Sequence, residues 1–93
     1  MIFTVIWQKS AENALAELWI QHPQERDAIT KAANRIGTLL RTDPHQKGDP
    51  HFALTRSLLV APLGVIFRVA EDDRLVKVLA VLYFPPYISN GFS

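Results

Sequence analysis

At 93 residues the chain is one domain. Hydrophobic residues make up 48% and charged residues 20%, which excludes an intrinsically disordered segment, and the lack of cysteine excludes a disulfide framework and thiolate metal ligation. Ten Lys plus Arg against nine Asp plus Glu give a net charge of +1, far from the basicity of domains that hold nucleic acid by bulk charge, so any anion site must be a local patch.

No run approaches the ~18 apolar residues of a membrane span, and no basic segment leads into an apolar signal core. A cytoplasmic protein without a membrane partner is expected. A core this small leaves apolar surface for a partner to cover.

Ile2 to Gln8 (IFTVIWQ) is β-branched and aromatic and reads as a first strand. Both its faces are mostly apolar, which predicts an interior or doubly covered position. Ser10 suits a helix N-cap. Ala11, Ala14, Leu15, Leu18 and Trp19 then form an amphipathic stripe, predicting a first helix over 10–21 with Trp19 in the core. His22-Pro23 breaks the chain, and Pro23 suits the first position of a second helix. Ile29, Ala32, Ala33, Ile36 and Leu40 carry its stripe to about Arg41, so the two helices form an antiparallel hairpin.

Thr42 to Pro50 (TDPHQKGDP) is a loop punctuated by Pro44, Gly48 and Pro50. Phe52 to Ala61 reads as a second strand, and Pro62-Leu63-Gly64 as a tight turn. Gly64 to Phe84 is a β-hairpin about the turn Glu71-Asp72-Asp73-Arg74. In its second strand positions 76, 78, 80, 82 and 84 are all apolar, while Lys77 and Tyr83 fall on the other parity. With the apolar parity under the helices, Arg68 and Lys77 share the open face. Pro85-Pro86 ends the last strand, giving a core over 2–84 and a tail over 85–93. The order β-α-α-β-β-β predicts a two-layer α+β domain, a helix hairpin on a mainly antiparallel four-stranded sheet.

The sequence has no phosphate-binding glycine loop, no nucleophile elbow and no metal-spaced cluster, so neither a cofactor nor a metal is expected. One loose constellation carries chemistry. His45, Lys47, His51 and Arg56 come from the loop and second strand; Arg68, Lys77 and Tyr83 come from the hairpin. Histidine can move a proton to or from a ribose oxygen, and Arg and Lys can hold a phosphate and its added charge. That makes His51, Arg56, His45 and Tyr83 the candidate catalytic residues. Lys47, Arg56, Arg68, Lys77 and Tyr87 are the candidate phosphate or RNA contacts, with Tyr87 or Tyr83 able to stack on a base. Taken singly, each of these reads first as a solvated surface residue.

Several of these stretches together resemble the RelE/ParE superfamily of bacterial toxins. FTVIWQKSAENALAELW is similar to its opening strand and helix, AANRIGTLLRTDPHQKG to its second helix and following loop, and LGVIFRVAEDDRLVKVLAVLYF to its hairpin. The resemblance implies a growth-inhibiting toxin of a type II toxin–antitoxin pair, of the kind linked to plasmid stabilisation, neutralised by a cognate antitoxin. RelE-type members are endoribonucleases that cut messenger RNA on the ribosome; ParE-type members inhibit DNA gyrase without nuclease activity. The nuclease branch resembles itself in an arginine where this chain has Gly64, and in a basic residue where it has Pro85-Pro86. Three readings therefore stand: an enzyme acting on RNA, a gyrase inhibitor, and an inactive homologue that only binds its antitoxin.

Overall fold

The computed structural model describes residues 2–52 and 54–85. Strand β1 spans Thr4–Trp7, helix α1 Lys9–Gln21 and helix α2 Arg26–Leu40. Strands β2 (Asp49–Pro50), β3 (Thr55–Val60), β4 (Leu63–Ala70) and β5 (Leu75–Tyr83) complete a sheet of order β1-β5-β4-β3-β2. Four pairings make it: β2–β3, β3–β4 and β4–β5 are antiparallel, and β1 joins β5 in parallel. The helix hairpin covers one face of the sheet, the two-layer α+β arrangement that the element order predicts.

The core lies between the layers. Ile29, Ala32, Ile36 and Leu40 of α2 and Ala11 of α1 meet Leu63, Val65 and Phe67 of β4 and Val76 and Val78 of β5, all buried. The stripe of α2 is thus its core face, as its spacing requires. Burying a side chain of this size contributes about 1.5–3 kcal/mol, so these few residues carry most of the apolar stabilisation.

Several boundaries differ from the sequence reading. The sheet has a fifth strand because Asp49–Pro50 in the loop pairs with Arg56 and Ser57. β1 is an edge strand, not an interior one: the crossover through two helices returns the chain to the far side of β4, leaving β1 free to join only β5. Ser10 lies inside α1 rather than capping it; the helix begins at Lys9, and Ser10 Oγ accepts a hydrogen bond from Gln8 Nε2 at 3.1 Å. Pro23 opens a single 3-10 turn, Pro23–Glu25, and α2 starts at Arg26. Strand β3 is shorter than 52–61, and Leu63 and Gly64 already belong to β4. Trp19 is outside the core at 42% exposure, with the Arg26 guanidinium 4.2 Å from its ring centroid and its indole N–H donating to Thr30 Oγ1 at 3.2 Å.

The largest correction concerns the hairpin. Ile66 pairs with Ala80 but Phe67 pairs with Val78, so Leu79 is an extra residue in β5. This bulge reverses the parity of the strand beyond it. Val76 and Val78 face the helices before the bulge, and Val81 and Tyr83 pack on the core after it. Leu82 and Phe84 are instead turned outward, 49% and 48% exposed, so the apolar row 76–84 is divided between the two faces.

Candidate functional site

Both helices lie on one face of the sheet, and no helix among the described residues covers the outer face. One row across it runs through register partners: Thr55 of β3, Arg68 of β4, Lys77 of β5 and Ile6 of β1. Arg68 and Lys77 are both exposed and stand directly opposite each other. Directly opposed like charges repel, so this rung holds two cations side by side with no ion pair among the described residues. Two rows further along, Leu59, Gly64 and Leu82 form an apolar row on the same face. The outer face is therefore cationic at one end and apolar at the other.

Next to the cationic end, a cleft of about 340 Å³ is lined by His45, Pro50, Leu54, Thr55, Arg56, Arg68 and Val69. His45 stands on the 3-10 turn Pro44–Gln46, and its Nε2 lies 2.5 Å from Glu71 Oε1 in the β4–β5 turn. The edge of its ring meets Phe3 with centroids 6.2 Å apart. Pro44, fully buried, anchors that turn. Glu71 is a member of this site that sequence reasoning reads only as a turn residue. It lies 26 positions from His45, and no local pattern links the two.

Arg56 lines the cleft too, but its guanidinium is engaged: Nε donates to the Lys47 carbonyl at 2.9 Å and Nη2 to the Gly48 carbonyl at 3.0 Å. It ties the loop to β3. Lys47 also serves the loop, its Nζ donating to the Thr42 carbonyl at 2.7 Å. The structure thus brings His45, Arg56 and Arg68 to one cleft, with Lys77 beside it.

The other candidates lie elsewhere. His51 lines a hollow of about 270 Å³ at the apolar end of the outer face, with Leu59, Gly64, Leu82 and Phe84. Tyr83 is on the helix side, because the bulge at Leu79 turned it there; its ring stacks on His22 with centroids 4.1 Å apart. Tyr87 lies outside the described residues. Among the described residues no group of three His, Cys, Asp or Glu is placed to hold a metal ion, and none of their helices is long and apolar enough to cross a membrane.

The topology, a helix hairpin over one face of a meander joined in parallel by the first strand, defines a recognisable class of small α+β domains. Within it, the chain has the RelE/ParE-like fold. It superimposes on a chain of the toxin–antitoxin complex RelBE2 from Mycobacterium tuberculosis with a TM-score of 0.70 at 22% identity, covering 89% of this chain and 92% of that one. For the chromosomal ParDE toxin–antitoxin system of P. aeruginosa the TM-score is 0.74 at 16% identity, with 90% and 98% covered. For the isolated RelE toxin of E. coli it is 0.59 at 11% identity, with 98% and 93% covered. No family model matches the sequence, and no curated protein matches it. At these identities the likeness is one of fold.

Proposed function

We propose that this chain is the toxin of a type II toxin–antitoxin pair, a growth inhibitor that acts on RNA at the ribosome and is held inactive by a cognate antitoxin. The shared fold supports the class. The observation that carries the target is the rung of Arg68 and Lys77 on the open face, beside the cleft lined by His45, whose Nε2 pairs with Glu71. Two adjacent cations suit a phosphodiester and the charge it gains on the way to cleavage. In the neutral tautomer whose Nε2–H donates to Glu71, the imidazole of His45 would present Nδ1 as a base for a ribose 2′-hydroxyl. Attack of that oxygen on phosphorus, its proton passing to His45, would break the bond to the 5′-oxygen, which takes up a proton from water, leaving a cyclic phosphate and a free 5′-hydroxyl.

A second reading is a gyrase inhibitor without nuclease activity. It is favoured by the engagement of Arg56 in the loop and by the place of Tyr83 behind the sheet, which remove two candidate catalytic groups from the open face.

Induced expression in a bacterial host, with RNA and plasmid topology read from one culture, decides between them. Translation arrest with cut messages, lost in Arg68→Glu and Lys77→Glu, is the expected result. Relaxed plasmid with intact messages selects the gyrase reading. Undisturbed growth overturns both and leaves the inactive homologue.

A further inference from the structure

Strands β2 and β3 are joined by residues 51–54. This connection carries the two most exposed large apolar side chains among the described residues, Phe52 at 82% and Leu54 at 79%. Such connections favour small and polar residues, and neither Phe52 nor Leu54 belongs to the core. The backbone beside Phe52 is nevertheless held. The His51 N–H donates to the Thr55 carbonyl at 2.9 Å. The Phe52 carbonyl accepts twice from Thr55, from its N–H at 3.2 Å and from its Oγ1 at 2.5 Å. Phe52 is thus fixed at its carbonyl while its ring stands in water. Order imposed before binding lowers the cost of binding through that ring.

Thr55 also ties Phe52 to the cations. It is the register partner of Arg68, whose partner on the other side is Lys77. Leu54 lines the same cleft as Thr55, Arg56 and Arg68. One residue therefore links an exposed aromatic ring to the two-cation rung. Proteins that hold single-stranded nucleic acid combine these two features, cations along the phosphates and an aromatic face for a base. Tyr83, expected from the sequence to stack on a base, is instead stacked on His22 behind the sheet.

We propose that Phe52 is the base platform of this chain: a nucleobase of single-stranded RNA stacks on its ring, against Leu54, while Arg68 and Lys77 hold the adjoining phosphates. The proposal rests on the RNA reading of the outer face and supplies the base contact that reading lacks. Every base has a π-face, so the contact anchors the strand without selecting a sequence. An exposed phenylalanine is also what a protein interface buries. The two occupants differ in one respect: only the nucleic acid loses the contact when its bases are removed.

The test is binding of the full chain to a hexanucleotide of 2′-O-methyl adenosine, which lacks the hydroxyl that cleavage needs, followed by fluorescence anisotropy over a salt series. Phe52→Ala should bind about tenfold more weakly, at an unchanged melting temperature. Its salt dependence should match that of the wild type, because no phosphate contact is lost. Phe52→Trp should keep the affinity and Phe52→Leu should lose it, which separates a stacked ring from apolar bulk. The double reversal Arg68→Glu with Lys77→Glu should flatten the salt dependence. A strand of the same length with abasic sites throughout should bind the wild type and Phe52→Ala alike. Undiminished binding of the adenosine strand by Phe52→Ala or Phe52→Leu overturns the proposal, and so does a Phe52→Ala loss that persists on the abasic strand. Undiminished binding by a Phe52→Ala variant that no longer inhibits growth overturns it in favour of a protein target. Binding that needs Arg68 and Lys77 but not Phe52 overturns this proposal alone. No binding by the wild type overturns the RNA reading with it.

Discussion

The ring of Phe84 lies on the bare backbone of Gly64: a Cβ placed there would stand 2.7 Å from Phe84 Cε2. The Phe84 N–H is fixed as well, donating to the Pro62 carbonyl at 2.7 Å. The aromatic side chain thereby covers a strand position that has no side chain of its own. In Gly64→Ala the half-exposed ring can swing outward, and alanine fits a strand better than glycine. The expected stability change is within about 1 kcal/mol, with the Phe84 ring-proton shifts moved toward their unfolded values. A loss well beyond that in urea denaturation would show the ring to be locked in place.

Gly48 is different in kind. Its φ is +66°, and a Cβ there would run into the carbonyl of Ser57. Both the left-handed backbone and the collision oppose any side chain. Gly48→Ala should destabilise the domain by at least about 1–3 kcal/mol, read as a lowered melting temperature. It should also free Arg56, which holds the Gly48 carbonyl.

Arg56 acts as a tie between loop and strand. Arg56→Ala loses two charge-assisted hydrogen bonds, and a loss of roughly 1.5–3 kcal/mol is expected. Arg56→Lys should recover little, because an ammonium cannot reproduce the fork. If the residue worked directly on RNA instead, growth inhibition would vanish at an unchanged melting temperature.

Arg68 and Lys77 predict the opposite pattern. Both are exposed, and neither forms an ion pair or hydrogen bond among the described residues. The double reversal Arg68→Glu with Lys77→Glu should leave stability within about 0.5 kcal/mol and abolish growth inhibition. Retained inhibition in the folded double variant removes the cationic rung from the mechanism.

Tyr83 belongs to the helix side through its stack on His22. Tyr83→Phe should therefore keep growth inhibition, and Tyr83→Ala should lower the melting temperature before it lowers activity. A folded Tyr83→Phe variant without activity would place the hydroxyl in the chemistry after all.

The sequence by itself determined the two helices, the meander and the core face of α2, because these follow from repeats of 3.6 and 2 read within a dozen residues. It also placed Arg68 and Lys77 on one open face, since they lie on the same side of the bulge. The tertiary structure decided the rest. One extra residue at Leu79 keeps the local alternation of apolar side chains, so no pattern in the strand reveals it, yet it sends Tyr83 behind the sheet and Phe84 out in front. The pairing of His45 with Glu71 and the place of β1 beside β5 join parts of the chain far apart in sequence, and the hold of Arg56 on Lys47 and Gly48 depends on how the loop folds back on β3. Such contacts depend on how the layers close, and local propensity carries no record of them.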